Sequence, residues 1–227
     1  ARRLFHFKNH VCPDLDIEET RFGLRIYATR DQGDGTKFLR ITNFVMPNLC
    51  AIGGKDLDWG PGGYHIHWHV PIDDDTHWRW EWIFHAKADM DTGFLRGLME
   101  PEVTPDYRHI RNQANRYLQD RDEMKRDTFA GVGPYFPAQD ANVTETMGPI
   151  QNRAEEHLGS TDIAIIAQRR QLFQGIEEIE QGNDPLHVIR DEKDNDYSDM
   201  VVLTEVIDAD TDKRERCREL ERENMYA

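Results

Sequence analysis

Three histidines, His65, His67 and His69, alternate along the run YHIHWHVPI. In an extended chain that alternation puts the three imidazoles on one face and Ile66, Trp68 and Val70 on the other. Neutral imidazole is a common ligand of iron, zinc and copper, so one reading is a metal site. The other is a polar face that lines a cavity or meets another subunit. Alternate side chains on a flat strand stand about 7 Å apart, which spreads three ligands widely for a single ion. The next run, HWRWEWIFHAK, places Trp78, Trp80, Trp82 and Phe84 on one face and Arg79, Glu81 and His85 on the other. The four aromatics are either core beneath a helix or the wall of an aromatic pocket. Arg79 is suited to a carboxylate, whether on a substrate or on a neighbouring strand.

A further carboxylate, Asp140, follows GPYFPAQ and opens a helix-compatible segment. Taken alone it reads as a helix cap at the positive end of the dipole. Serine chemistry finds no GxSxG elbow, and Ser160 and Ser198 sit in cap-like or acidic settings. The GPGG at 60–63 lacks the Lys-Ser/Thr and the following helix of a phosphate loop. Asp73, Asp74 and Asp75 read as a solvated turn.

Positioning these residues requires a sheet first and helices second. Asp16 to Arg30 reads as one strand with Phe22, Leu24 and Ile26 alternating, DQGDG as a turn, and KFLRITNFVMP from Lys37 as its hairpin partner. Gly53–Gly63 reads as a loop, and the histidine and tryptophan runs as two further strands joined at Asp73–Asp75. Residues 106–126 are helix-compatible, with a weak stripe of Tyr107, Ile110 and Tyr117. A helix from Asp140 is interrupted at Gly148–Pro149. Ser160 and Thr161 offer a cap to a long helix, DIAIIAQRRQLFQGIEEIEQG. Its Ile165, Leu172, Ile176 and Ile179 recur at helical spacing as one buried face, and Gly182 is placed to end it. The class is α+β, an antiparallel sheet with the long helix across one face. Residues 1–206 form the domain, and 207–227 read as a charged tail, peripheral or helical on the surface.

Forty-three acidic against 28 basic residues leave a formal charge of −15 over 227 residues. That charge repels phosphate backbones and anionic lipid, which argues against nucleic-acid and membrane partners. No apolar run approaches the roughly 18 residues of a membrane span. Cys12, Cys50 and Cys217 form no CxxC pair and suit a reducing cytoplasm.

Taken in order, ITNFVMPNLCAIGG, HWHVPIDDDTHWRW and QDANVTETMGPIQNRAEEHLGSTDIAIIAQRRQL resemble the catalytic domain of Rieske non-haem iron oxygenases. The branch is that of phthalate 4,5-dioxygenase and related aromatic-acid dioxygenases and O-demethylases, matched from about Asp16 to Leu172. Asn152 stands where that pattern has Asp. The resemblance implies a helix-grip (START/Bet v 1-like) fold, an antiparallel sheet wrapped around a long C-terminal helix. It also implies a mononuclear Fe(II) on two histidines and one carboxylate, and the carboxylate corresponds to Asp140, preceded by Gln139. An aromatic acid bound there calls for a cation: Arg25 first and Arg79 second. Asn43, Phe44 and Trp80 are expected wall residues, all dependent on strand register. The implied partners are an aromatic substrate, O2, an electron-transfer reductase and further copies of the subunit in a homotrimer or a multiple of it.

The family's ligand helix, DxxHxxxxH, is absent. Asp106–His109 and Asp184–His187 have the first spacing without the second histidine. No cysteine has a histidine two residues on, so the Rieske [2Fe-2S] ligands are absent too. The chain is therefore expected to be the carboxyl-terminal part of an oxygenase α subunit, with two iron-ligating histidines and the Rieske domain outside it. Two alternatives stay open. One is a helix-grip small-molecule binder without catalysis. The other is a cupin-like metalloenzyme that uses His65 and His67, since a cupin takes two metal ligands from an HxH strand.

Overall fold

A computed structural model describes residues 10, 12–53 and 62–223; the tip of the expected Gly53–Gly63 loop lies outside them. The chain divides into two compact units. One holds the residues up to Asp73, His77–Asp89 and those from His157 onward, and the other holds Asp74–Thr76 and Met90–Glu156.

The first unit is built on a seven-stranded antiparallel sheet: β1 (Asp14–Thr20), β2 (Gly23–Asp31), β3 (Thr36–Val45), β4 (Leu49–Gly53), β5 (Gly63–Pro71), β6 (His77–His85) and β7 (Leu203–Asp208). Strands β1 to β6 lie side by side in chain order. β4 pairs with one end of β3 (Thr42–Val45) and β7 with the other (Thr36–Ile41). The single strand expected over Asp16–Arg30 is two strands that fold back at Arg21–Phe22. Gly23 makes this bend, with φ +144°, and a Cβ there would stand 2.3 Å from the Phe44 carbonyl oxygen. Only glycine fits that conformation and that gap.

Strand register sorts every side chain onto one of two faces. One cross-strand row runs Arg25, Asn43, Ala51, Ile66, Trp82. The neighbouring row, on the opposite face, runs Leu24, Phe44, Cys50, His67, Glu81. On the first face Tyr27, Leu39, Ile41, Ala51, Tyr64 and Ile66 bury against Val201–Leu203 and against Cys217 and Leu220 of helix α5 (Lys213–Arg222). On the second, Leu24 and Phe44 bury against Ala167 of helix α4 (Ile163–Glu180). This is the expected α+β sheet with a long helix on one face.

Three sequence expectations change here. First, α4 does not bury its isoleucines: Ile165, Ile176 and Ile179 are exposed, and Ala167 and Gln171 face the sheet. The row beneath already carries Leu24 and Phe44, so close approach selects a small residue. Second, residues beyond 206 are not a peripheral tail. The boundary at 207 falls inside β7, and Ile207, Cys217 and Leu220 are core. The charges of α5 are held in ion pairs, as where Arg216 donates from Nε and Nη2 to both carboxylate oxygens of Glu205 at 3.0 and 3.1 Å. Third, the tryptophans of β6 lie on the face away from α4, and Trp80, Trp82 and Phe84, with Trp68 of β5, are exposed.

The second unit carries helices α1 (Thr92–Met99), α2 (Arg121–Arg126) and α3 (Phe136–Glu145). The helix expected over 106–126 is replaced by a 3₁₀ segment, Gln113–Leu118, followed by α2. Asn112 accepts from Ala114 N–H and donates to the His109 and Ile110 carbonyls, local bonds that compete with a helical ladder. Arg116, Tyr117 and Leu118 are left-handed. The Gly148–Pro149 break is as expected, since α3 ends before it and Gly148 has φ +94°. No described helix is long and apolar enough to cross a membrane.

Candidate functional site

Along β5 and β6 the α4-side face is a row of titratable groups. Antiparallel register sets His67 opposite Glu81 and His69 opposite Arg79. His65 Nε2 lies 3.0 Å from His67 Nε2 and 3.4 Å from Glu81 Oε2. One ligand atom from each of His65, His67 and Glu81 falls within 4.8 Å of the others, and among the described residues this is the one such trio. All three are partly buried. Arg79 pairs through Nη2 with the other Glu81 oxygen, Oε1. A second imidazole pair follows, His69 Nδ1 to His77 Nε2 at 2.9 Å.

The electrostatics are unequal. Burial, and then the neighbouring His65, push the His67 imidazole down to about 4, so it is neutral at physiological pH. Burial would raise the Glu81 carboxyl, but the His65 hydrogen bond and the Arg79 charge overcome it and hold Glu81 at about 2. Burial, then His77 and Arg79, also lowers His69. The face therefore offers the neutral His67 imidazole beside one ionised carboxylate. The spacing problem seen in the sequence is solved by rotamer, because His65 and His67 turn their Nε2 atoms together. The third donor is the cross-strand Glu81 and not His69.

The residues expected to hold a substrate are divided between faces. Phe44 and Arg79 lie on the α4 side, whereas Arg25, Asn43 and Trp80 lie on the other. Arg25 is 5% exposed. Its Nη1 lies 2.8 Å from Glu221 and 3.6 Å from Glu18, and its Nη2 donates to the Asp199 carbonyl at 2.6 Å. Asn43 is fully buried and donates to the Val201 carbonyl at 2.7 Å. Trp80 is an exposed outer-face residue. On the α4 side an apolar groove of about 260 Å³ is lined by Met46, Pro47, Gln171, Leu172, Ile176 and Leu186 among others.

Asp140 does not cap its helix. α3 begins at Phe136, with Tyr135 at the cap and Pro137 in the first turn. That puts Asp140 in the second turn, half-buried, with Gln139 donating to the Gly133 carbonyl at 2.7 Å. Proline suits the first turn of a helix because the lost N–H has no partner there.

Residues 7–226 match the LigXa C-terminal domain-like family. The chain belongs to that family. It is 32% identical over 75% of its length to the phthalate 4,5-dioxygenase oxygenase subunit of Pseudomonas putida, covering 39% of that protein. It is 30% identical over 81% of its length to the phenoxybenzoate dioxygenase subunit alpha of Ectopseudomonas oleovorans, again covering 39%. Similarity extends, at 27% over 78% of the chain, to the 5,5'-dehydrodivanillate O-demethylase oxygenase subunit of a Sphingobium species, of which 36% is covered. The chain spans about two-fifths of the length of the curated relatives it matches. These matches bear out its recognition as an oxygenase-subunit domain in the phthalate 4,5-dioxygenase branch.

The iron that this LigXa-like domain implies needs two imidazoles and a carboxylate. Asp140, half-buried in the second turn of α3, is the carboxylate expected there from the sequence. Among the described residues no trio of His, Cys, Asp or Glu includes it.

Proposed function

We propose that the chain is the catalytic-domain portion of a Rieske-type non-haem iron oxygenase that hydroxylates or O-demethylates an aromatic substrate, an aromatic acid in particular, with O2. The observation that carries this is the family match over residues 7–226, joined by relatives whose names are those of aromatic dioxygenases and an O-demethylase. In this reading Asp140 supplies the carboxylate ligand and two histidines come from polypeptide outside the chain. Ferrous iron, when bound there, would supply the O2-activating chemistry. The domain's own work is to hold, orient and dry the substrate. Phe44, packed under Ala167, backs the α4 side of the sheet. Of the two candidate cations Arg25 is enclosed by Glu18 and Glu221, which leaves Arg79, itself paired with Glu81, as the one to meet a substrate carboxylate. Electrons come from a reductase through a Rieske [2Fe-2S] domain, in a trimer. The compartment is the cytoplasm, which suits three free cysteines.

The test is oxygen uptake coupled to product formation. Expressed together with a polypeptide that carries the Rieske domain and the two histidines, and supplied with reductase, the domain is expected to consume O2 when given an aromatic acid. Asp140→Ala should reduce that turnover to background while the circular dichroism spectrum is retained. Undiminished turnover in a folded Asp140→Ala variant would overturn the assignment. The apolar groove beside α4 favours a second reading, a small-molecule binder without catalysis. Tight binding of an aromatic ligand with no oxygen consumption under these conditions would support it.

A further inference from the structure

We propose that His65, His67 and Glu81, a donor set that does not include Asp140, bind a divalent transition-metal ion of the zinc, cobalt or ferrous class. Four observations carry this. The donor set is two imidazole nitrogens and one carboxylate oxygen, the chemistry that borderline divalent ions select. Two of the three donor spacings are those of ligands around one ion, and the third lies within 4.8 Å. With bonds of about 2.1 Å, donors at a right angle stand about 3.0 Å apart and tetrahedral donors about 3.4 Å apart. The two distances found are 3.0 and 3.4 Å.

Proton bookkeeping gives the third. His65 Nε2 faces both His67 Nε2 and Glu81 Oε2. If His65 Nε2 carries a proton, that one N–H must be shared between two acceptors. If instead His67 Nε2 donates to His65, the bare His65 nitrogen confronts a carboxylate oxygen. Either tautomer leaves lone pairs converging in a partly buried place, and one cation satisfies all three. The fourth is support from outside the donor set. Arg79 engages Glu81 Oε1 and leaves Oε2 turned to the histidines. Such orientation of a ligand by its neighbour is what metal sites require. Three protein donors leave further coordination positions for water or an oxygen ligand.

The experiment uses the full chain stripped with chelator and titrated with Co(II) alone, read by visible d–d absorption. One equivalent is expected to bind. His65→Ala and His67→Ala should each weaken it by more than about 100-fold, since even the outer partners of a metal are worth 10- to 100-fold. Glu81→Gln keeps the side-chain shape while removing the charge, and should weaken binding at least tenfold. Asp140→Ala should bind Co(II) as the parent does, which separates this site from the proposed iron. Should a histidine variant fail to fold, paramagnetic proton spectra of the Co(II)-loaded parent decide the matter, with two shifted imidazole N–H signals expected. The proposal is overturned by a folded parent that takes up no Co(II), by Co(II) affinity unchanged in the folded histidine variants, or by shifted spectra without two imidazoles. Each of these outcomes leaves the oxygen-uptake test of the oxygenase reading untouched.

Discussion

Arg25 shows how little a residue type says about its use. A lone arginine on a strand invites an acidic ligand, yet this one spends its charge on Glu18, Glu221 and the Asp199 carbonyl. Removing a buried partner is costly because it strands the remaining charges. Arg25→Met is expected to lower stability by roughly 1–3 kcal/mol in urea unfolding, the lower end reflecting the partial exposure of both glutamates. Nearby, burial raises the Cys217 thiol to about 11. The folded protein therefore holds that proton more tightly than the unfolded chain. Stability from this group is full below about 9 and is lost as pH rises from about 9 towards 11. At pH 8 a thiol reagent should modify exposed Cys12 rapidly and Cys217 only on unfolding; equal rates would contradict its burial.

At the scale of the element, periodicity located strands and helices better than it located their faces. The histidine and tryptophan strands came out as β5 and β6, and even the metal trio was half legible. A hairpin centred on Asp74 pairs His67 with Glu81, a cross-strand relation that a search for short spacings along one strand passes over. The β1–β2 bend was missed because the alternation of Phe22, Leu24 and Ile26 runs through it without a break. Only Gly23 marks it, and Gly23→Ala is expected to cost about 2 kcal/mol by denaturant unfolding, given the forbidden φ and the Phe44 carbonyl. Helix α4 was found with its end at Gly182, but its apolar stripe faces outward. Ala167→Leu should therefore destabilise by about 1–3 kcal/mol through overpacking, while Ile165→Ala and Ile176→Ala should each stay within about 0.5 kcal/mol. The reverse order in thermal melts would restore the isoleucine face as the buried one.

For the molecule as a whole, the last strand and helix complete the core. β7 occupies the half of β3 that β4 leaves open, and α5 closes the face that holds Tyr27, Leu39 and Ile41. Truncation after Asp208 is expected to abolish cooperative unfolding, because it removes Cys217 and Leu220 and uncovers that face; a sharp two-state melt in the truncated chain would show α5 to be dispensable. Composition could not reveal this, since two buried positions in a ten-residue charged helix leave almost no hydropathy signal. The sequence by itself determined the class of fold, the alternation that puts His65 and His67 on one face, and the family, because these depend on local period and on ordered motifs. Tertiary structure alone decided which sheet face each helix covers, that Arg25 is enclosed while Arg79 holds Glu81, and that Glu81 comes to His65 and His67 from the next strand. Those outcomes turn on strand register and on competition for buried volume, which no stretch of chain specifies until its neighbours are in place.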